Sequence, residues 1–174
     1  VLSAEQAHAV AAVVTSGRRL DVLVGAAGTG KSTAMAGVRA AWEAGHGPGS
    51  VVGLAPSAAA AEVLADAVGV PTENTAKWLS EYQRLPEREA RLRKYARRLA
   101  GAYPSPATQQ LQQQARAEFA MYRRWALRPG QLVIIDEASM AATMDLDQIT
   151  AAATKAGAKV LLVGDWAQLS PVQA

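Results

Sequence analysis

Four short apolar runs alternate along the chain with longer stretches of helical periodicity. The runs lie at 22–24, 51–55, 132–135 and 160–163, and they are nearly continuous and rich in Val and Ile. Such runs are typical of strands that are buried on both faces of a parallel sheet. Helical patterns follow at 31–44, 57–68 and 143–156. The alternation of strand and helix predicts an α/β fold in which helices flank a parallel sheet.

A basic segment interrupts this alternation. Apolar residues recur at helical spacing in two stretches, first Leu92, Tyr95 and Leu99, then Leu111, Ala115, Phe119, Tyr122 and Ala126. Residues 103–106 include two prolines, which a helix does not easily cross. The pattern therefore predicts a helical hairpin inserted at 83–130, with its apolar stripes packed together, its arginines outside and its glutamine cluster on the helix surface.

Charge is distributed unevenly along the chain. The net charge is +3, but residues 83–128 contain eleven basic and three acidic side chains, a net charge of +8, whereas the remainder carries −5. A strongly basic segment on a mildly acidic body indicates a surface that binds polyanions. The alternative is a solvated helix face without a binding role.

Composition excludes several classes of protein. The chain has 174 residues, half of them hydrophobic, enough for the core of a single domain over 1–174. No cysteine is present, which excludes disulfide scaffolds, thiolate zinc sites and cysteine nucleophiles. No apolar stretch is long enough to cross a bilayer and no signal peptide precedes the first helix, so we expect a cytoplasmic protein.

The sequence from Gly25 to Ser32 has the form of a phosphate-binding loop. Its residues Gly25, Ala26, Ala27, Gly28, Thr29, Gly30, Lys31 and Ser32 match G-x-x-x-x-G-K-[ST] between a predicted strand and a predicted helix. The glycines allow a tight turn that directs backbone N–H groups at phosphate oxygens. Lys31 would bind the β- and γ-phosphates, and Ser32 would bind Mg²⁺.

A pair of carboxylates follows the third predicted strand. Asp136 and Glu137 come directly after the apolar run at 132–135. In nucleotide hydrolysis, one carboxylate holds Mg²⁺ and another orients and deprotonates the attacking water, which suits Asp136 and Glu137 respectively. The alternative is an acidic pair that caps the next helix.

Four segments together resemble the motifs of superfamily 1 helicases, in the order of that superfamily. They are the phosphate loop, Ala55-Pro56-Ser57, Asp136-Glu137-Ala138-Ser139 and the stretch from Gly164 to Val172. The resemblance is to RecD-like helicases, and in particular to the helicase part of TraA/TraI-type conjugative relaxases. It implies a RecA-like P-loop domain that binds ATP and Mg²⁺, with Ser32 and Asp136 at the metal.

The resemblance also implies roles for individual residues. Gln6 would contact the adenine edge, and Gln168 would contact the γ-phosphate and act with Lys31 and Glu137 in catalysis. Thr33 completes the phosphate-binding set. Candidate DNA contacts are Pro56, Ser57, Thr75, Lys77 and Trp78, together with Arg91, Lys94, Arg97 and Arg98 of the hairpin. Trp78 has two open interpretations, stacking on a base or packing in the core.

The function implied is the motor domain of a DNA helicase or translocase that moves on single-stranded DNA in conjugative transfer. The family adds a second RecA-like domain with arginines for the ATP site. We therefore expect this chain alone to be monomeric, to hydrolyse ATP very slowly and not to unwind duplexes. The alternatives are a nucleotide- and DNA-binding module without hydrolysis and a RecD-like repair helicase. A P-loop kinase or transporter ATPase fits the motifs less well.

Overall fold

The computed structural model of the chain describes residues 2–26 and 28–165. The first half contains α1 (Ala4–Thr15), β1 (Leu20–Val24), α2 (Lys31–His46), β2 (Val51–Ala55), α3 (Ala58–Val68), β3 (Thr72–Asn74) and α4 (Thr75–Gln83). The second half contains α5 (Leu85–Leu99), α6 (Pro106–Trp125), β4 (Leu132–Ile135), a 3₁₀ turn (Ala138–Met140), α7 (Thr143–Ala156) and β5 (Lys159–Gly164). The described residues form two compact units, one of 78–127 and one of the remainder.

The larger unit is an α/β domain around a five-stranded parallel sheet. The strand order is β1-β5-β4-β2-β3, and all four pairings are parallel. Helix α1 packs on α2, α2 packs on α3, and α7 packs against β5. The predicted fold of a parallel sheet flanked by helices is confirmed.

The core follows from the apolar runs. Every residue of β4 is buried, as the continuous run predicted. Leu132 and Ile134 join a cluster with Met35, Val38 and Leu64. Their neighbours Val133 and Ile135 point to the opposite face of the sheet, because side chains alternate along a strand.

Two features of the sheet differ from the prediction. Val22 and Val24 are 58% and 53% exposed, because β1 lies at an edge of the sheet formed by the described residues. The prediction that this strand is buried on both faces is wrong. The short strand β3 was not predicted, since its sequence Thr72-Glu73-Asn74 is polar; backbone pairing with β2 defines it.

The smaller unit contains the helical hairpin. Helices α5 and α6 pack against each other along their length, and the turn between them contains Pro104. Ser105 caps α6 by accepting a hydrogen bond from the Thr108 N–H at 3.1 Å, and Pro106 takes the first helical position, where no N–H is needed. The glutamines of α6 lie on its exposed surface.

The side chains between the two helices differ in part from the prediction. Arg88 is only 12% exposed and pairs with Glu81 at 2.8 Å and with Glu118 at 3.2 Å. Phe119, predicted to pack inward, is 50% exposed. Glu118, the residue before Phe119, faces α5 instead, because its charge is balanced there by Arg88 and Arg91. The expectation that all arginines lie outside is therefore wrong for Arg88.

A buried ion pair ties α1 to the sheet at the end opposite the phosphate loop. Lys159 Nζ lies 2.7 Å from Asp21 Oδ2 and donates to the carbonyls of Val13 at 2.7 Å and Ser16 at 2.9 Å. Apart from this pairing, Asp21 Oδ2 has no hydrogen-bond donor among the described residues. Asp21 therefore depends on Lys159 for the compensation of its buried charge.

The substitution Lys159→Met should lower the free energy of unfolding by about 3–5 kcal/mol, because it leaves the Asp21 carboxylate buried without a counter-charge. The double variant Lys159→Met/Asp21→Asn should recover much of that loss. Urea denaturation followed by circular dichroism measures both. Equal losses in the single and double variants would contradict the assignment of the loss to an uncompensated charge.

Candidate functional site

The phosphate loop connects the end of β1 to the start of α2. Gly28 and Gly30 have φ values of 78° and 79°, a region that glycine adopts without steric cost. Thr29 Oγ1 donates to the Ala26 carbonyl at 2.7 Å and thereby closes the turn. Gly30 precedes α2 and makes no side-chain cap, so the first-turn N–H groups are available for an anion.

Lys31 folds over the loop that it follows. Its Nζ donates to the carbonyls of Gly25 at 2.6 Å and Ala26 at 3.1 Å. The ammonium group therefore lies against the backbone carbonyls at the start of the loop. A phosphate in the loop would meet this charge, because Lys carries a mobile ammonium on a flexible stem.

Gln6 joins the first helix to the loop. It forms a capping box with Ser3, in which Gln6 Oε1 accepts from the Ser3 N–H at 2.9 Å. Its Nε2 donates to the Gly30 carbonyl at 3.3 Å. A cavity of about 210 Å³ lies between α1, the end of β1 and the loop, and Gln6, Val24 and Lys31 are among its lining residues. The adenine contact expected of Gln6 stays a prediction.

The carboxylate pair lies at the end of β4. The Asp136 N–H continues the sheet by donating to the Leu54 carbonyl at 3.0 Å, and Asp136 Oδ1 accepts from the Glu137 N–H at 2.9 Å. Glu137 has φ 49°, the only positive φ of a non-glycine among the described residues. A residue in this region is strained by roughly 1–2 kcal/mol, and such strain is concentrated at functional sites.

Asp136 and the phosphate loop lie within electrostatic range of each other. Burial raises the pKa of the Asp136 carboxyl above its ordinary value, while the Glu137 N–H and the positive charge of Lys31 lower it. The two strands that carry these groups are not neighbours, because β5 lies between β1 and β4. Residues 105 positions apart in sequence are thus brought together at one edge of the sheet.

Gly164, at the end of β5, bridges the loop and the carboxylate turn. Its carbonyl accepts from the Gly25 N–H at 3.2 Å. A Cβ built on Gly164 would lie 4.0 Å from the Ser139 backbone nitrogen. The sequence pattern included Gly164 only as part of a helicase motif, and its bridging position follows from strand order.

The residues expected to hold Mg²⁺ suit that ion chemically. Ser32 supplies a hydroxyl in the exposed first turn of α2, beside Thr33, and Asp136 supplies a half-buried carboxylate. Mg²⁺ is usually held by one or two carboxylates together with substrate phosphates and waters, rather than by an all-protein cage. A hydroxyl and a carboxylate close to Lys31 therefore fit Mg²⁺ bound with a nucleotide. Two predicted site residues, Ala27 and Gln168, lie outside the described residues.

The predicted DNA contacts in the α/β unit differ in accessibility. Ser57 is exposed, next to the partly buried Pro56, and its hydroxyl caps α3 by accepting from the Ala60 N–H at 3.1 Å. Lys77 is half exposed and pairs with Glu73 at 2.6 Å. Thr75 is buried, so its side chain does not offer a surface to a phosphate.

Trp78 is 5% exposed and stacks on Tyr82, with ring centroids 4.9 Å apart. This packing leaves no free ring face for a base. Of the two interpretations left open by the sequence, the structure favours packing, and the stacking role is corrected accordingly.

The hairpin residues expected to contact DNA fall into two groups. Arg91 pairs with Glu118 at 2.9 Å, and this hydrogen bond lowers the pKa of the Glu118 carboxyl. Lys94, Arg97 and Arg98 are exposed and make no ion pair within the part of the chain that the structure describes. The charge of Arg91 is therefore partly balanced by Glu118, whereas Lys94, Arg97 and Arg98 face solvent.

A profile of the AAA domain family matches residues 1–174, the entire chain. The chain belongs to this AAA domain family. The resemblance to RecD-like helicases derived from the motifs is confirmed. Among the described residues, every helix of this AAA domain is too short or too polar to span a lipid bilayer.

Three curated relatives of this AAA domain are conjugal transfer proteins. The chain is 31% identical to the conjugal transfer protein TraA of Rhizobium radiobacter and 31% identical to the probable conjugal transfer protein TraA of Sinorhizobium fredii. It is 29% identical to the conjugal transfer protein TraA of Agrobacterium fabrum. Each alignment covers 99% of this chain and 12% of the relative. The AAA domain thus spans a small part of the length of these relatives.

Gly30→Ala and Gly28→Ala form a matched pair that tests the packing of Gln6 on the loop. Both substitutions place alanine at a positive φ, at a cost of about 1 kcal/mol. Only at Gly30 would the added Cβ collide with Gln6 Nε2, since nothing lies within 4 Å at Gly28. Gly30→Ala should therefore lose more stability in urea denaturation than Gly28→Ala. Equal losses would show that the Gln6 side chain moves aside at little cost.

Asp136→Asn should stabilise the fold at neutral pH. The raised pKa means that the folded state holds this proton more tightly than the unfolded state, so ionised Asp136 costs stability as pH rises above the ordinary carboxyl range. The stability difference between variant and wild type should widen from about pH 4 to pH 7. Urea denaturation over this range measures it, with Asp147→Asn on the exposed surface of α7 as the control. A difference that does not change with pH would contradict the desolvation of Asp136.

Proposed function

We propose that this AAA domain is the ATP-binding motor domain of a DNA helicase or translocase that acts in conjugative transfer. The observation that supports this proposal best is that the parallel sheet places the loop of Lys31 and the carboxylate of Asp136 at the carboxyl ends of its strands, within electrostatic range of each other. A basic residue from a phosphate loop and a carboxylate at a strand end are the two groups that a Mg·nucleotide requires. The similarity to TraA proteins supports the conjugative context.

In the proposed mechanism, the loop N–H groups and Lys31 bind the phosphates and hold the γ-phosphate in a fixed orientation. Ser32 and Asp136 would hold Mg²⁺, which supplies positive charge to the phosphates when bound. Glu137 orients the attacking water and takes its proton. Gln6 contacts the adenine, and Gln168 contacts the γ-phosphate. Glu137 has left-handed backbone angles, so the chain leaves the extended conformation of β4 at this residue.

Movement on DNA needs further parts of the protein. A second RecA-like domain of the same parent chain would complete the ATP site with arginines, and single-stranded DNA would be the track. We propose that the domain acts in the cytoplasm and is monomeric when isolated. Ser57, Lys77 and the exposed cations of the hairpin, Lys94, Arg97 and Arg98, are the proposed phosphate contacts, because charge and hydroxyl groups at the surface bind DNA backbones.

Nucleotide binding provides the first test. Lys31→Ala should weaken the binding of a fluorescent ATP analogue by about 10- to 100-fold, since charge-assisted hydrogen bonds contribute about 1.5–3 kcal/mol. Lys155→Ala removes the same charge from the exposed surface of α7 and should leave the affinity unchanged. Equal affinity of wild type and Lys31→Ala would contradict the proposed site.

Glu137→Gln separates binding from hydrolysis. The variant should bind the analogue like wild type, because its side chain acts on water and not on the phosphates. In the parent protein, DNA-stimulated ATP hydrolysis should be lost. If the wild-type parent binds nucleotide and does not hydrolyse it with or without single-stranded DNA, the chain is a binding module and the motor proposal fails.

A further inference from the structure

An exposed aromatic ring stands among cations on the outer face of α6. Phe119 is 50% exposed, although a phenylalanine at this position of the sequence pattern predicted burial. Arg116 lies three residues before it and Arg123 four residues after it. On a helix these offsets place side chains on one face, so the three residues form a continuous stripe. Gln109 and Gln112 extend the same stripe toward the start of the helix, and all five positions are exposed.

The stripe is positive and free of acidic groups. Every exposed position of α6 is occupied by an uncharged or basic residue. The single acid of the helix, Glu118, points toward α5 and pairs there with Arg88 and Arg91. The inward placement of Glu118 therefore removes negative charge from the surface that carries Phe119.

The Phe119 side chain is half exposed, although the Arg123 guanidinium lies over one face of its ring. The Arg123 guanidinium carbon lies 5.9 Å from the ring centroid, within the range of a cation–π contact. Arg116 and Arg123 are about 10 Å apart along the axis, from a rise of about 1.5 Å per residue. A base stacked on the other face of the ring would thus have the Arg123 guanidinium behind the ring and Arg116 about one helical turn away, both available to the phosphates of its strand.

We propose that Phe119, with Arg116 and Arg123, forms a stacking platform for one base of single-stranded DNA. This inference rests on the proposed function, to which it adds a site on α6 distinct from the expected contacts on α5. Stacking on an aromatic ring is available to every base, and the guanidinium groups bind the backbone. A duplex offers no free base face, so the platform is selective for single strands.

Titration of the 174-residue chain with an oligothymidylate, followed by fluorescence anisotropy, tests the platform. Phe119→Ala and Phe119→Leu should both weaken binding by about ten-fold, because leucine keeps apolar volume and loses the π-face. Phe119→Trp should bind at least as tightly as wild type. The salt dependence should be unchanged in all three variants, whereas Arg116→Gln should reduce its slope by about 1.

Two controls separate stacking from a general effect on the fold. Met121→Ala removes another exposed apolar side chain of α6 that lies off the stripe, and it should bind like wild type. In an oligonucleotide that contains 2-aminopurine, wild type should quench the base fluorescence and Phe119→Leu should not. Circular dichroism checks that each variant is folded.

The possible outcomes distinguish this inference from the proposed function. If wild type binds the oligonucleotide and Phe119→Leu binds equally well, the platform is overturned and DNA binding through other residues stands. If wild type does not bind single strands at any salt concentration, both the platform and the DNA-binding part of the proposed function are overturned.

Discussion

The parallel arrangement of the strands is the constraint on which the candidate site depends, because it brings Lys31 and Asp136 within electrostatic range of each other. All strands of the sheet are parallel, so their carboxyl ends share one edge, and loops that are remote in sequence converge there. The strand between them, β5, contributes the Gly164 carbonyl that holds Gly25. Burial of Asp136 at this edge costs stability at neutral pH, and it is the cost of keeping a carboxylate beside an anion-binding loop.

The sequence predicted those elements in which the pattern of apolar residues or glycines matches the burial or backbone geometry that the fold requires. The run at 132–135 is apolar because β4 is buried on both faces, and the loop at Gly25 is recognisable because its glycines serve one backbone geometry. The edge position of β1 and the polar strand β3 were not predictable in the same way. Strand order and backbone pairing determine them, and neither leaves a periodic signal in the side chains.

The hairpin shows a second limit of sequence patterns. Helical spacing located α5 and α6 correctly, but it assigned Phe119 to the interior and the arginines to the surface. In the structure, Phe119 is exposed and Arg88 is largely buried. Arg88 can be buried because it pairs with Glu118 between the helices. Hydrophobicity alone does not reveal such a pair, since each residue taken separately is typical of a surface. Because Glu118 faces α5, its neighbour Phe119 lies on a part of the α6 surface that is exposed to solvent.

Two polyanions, ATP and DNA, would have to be distinguished by one protein, and the charge distribution offers a physical basis for that. The acidic remainder of the chain, with a net charge of −5, does not attract nucleic acid over a distance, yet the loop can bind phosphate by short-range N–H groups and Lys31. The basic segment at 83–128 carries +8 and acts at long range, where salt screens it. Under the proposed function, a nucleotide would thus be selected by the preformed turn, and single-stranded DNA would be selected by the charge of the basic segment. The stacking ring proposed on α6 would add a contact that needs an unpaired base, which a duplex does not present.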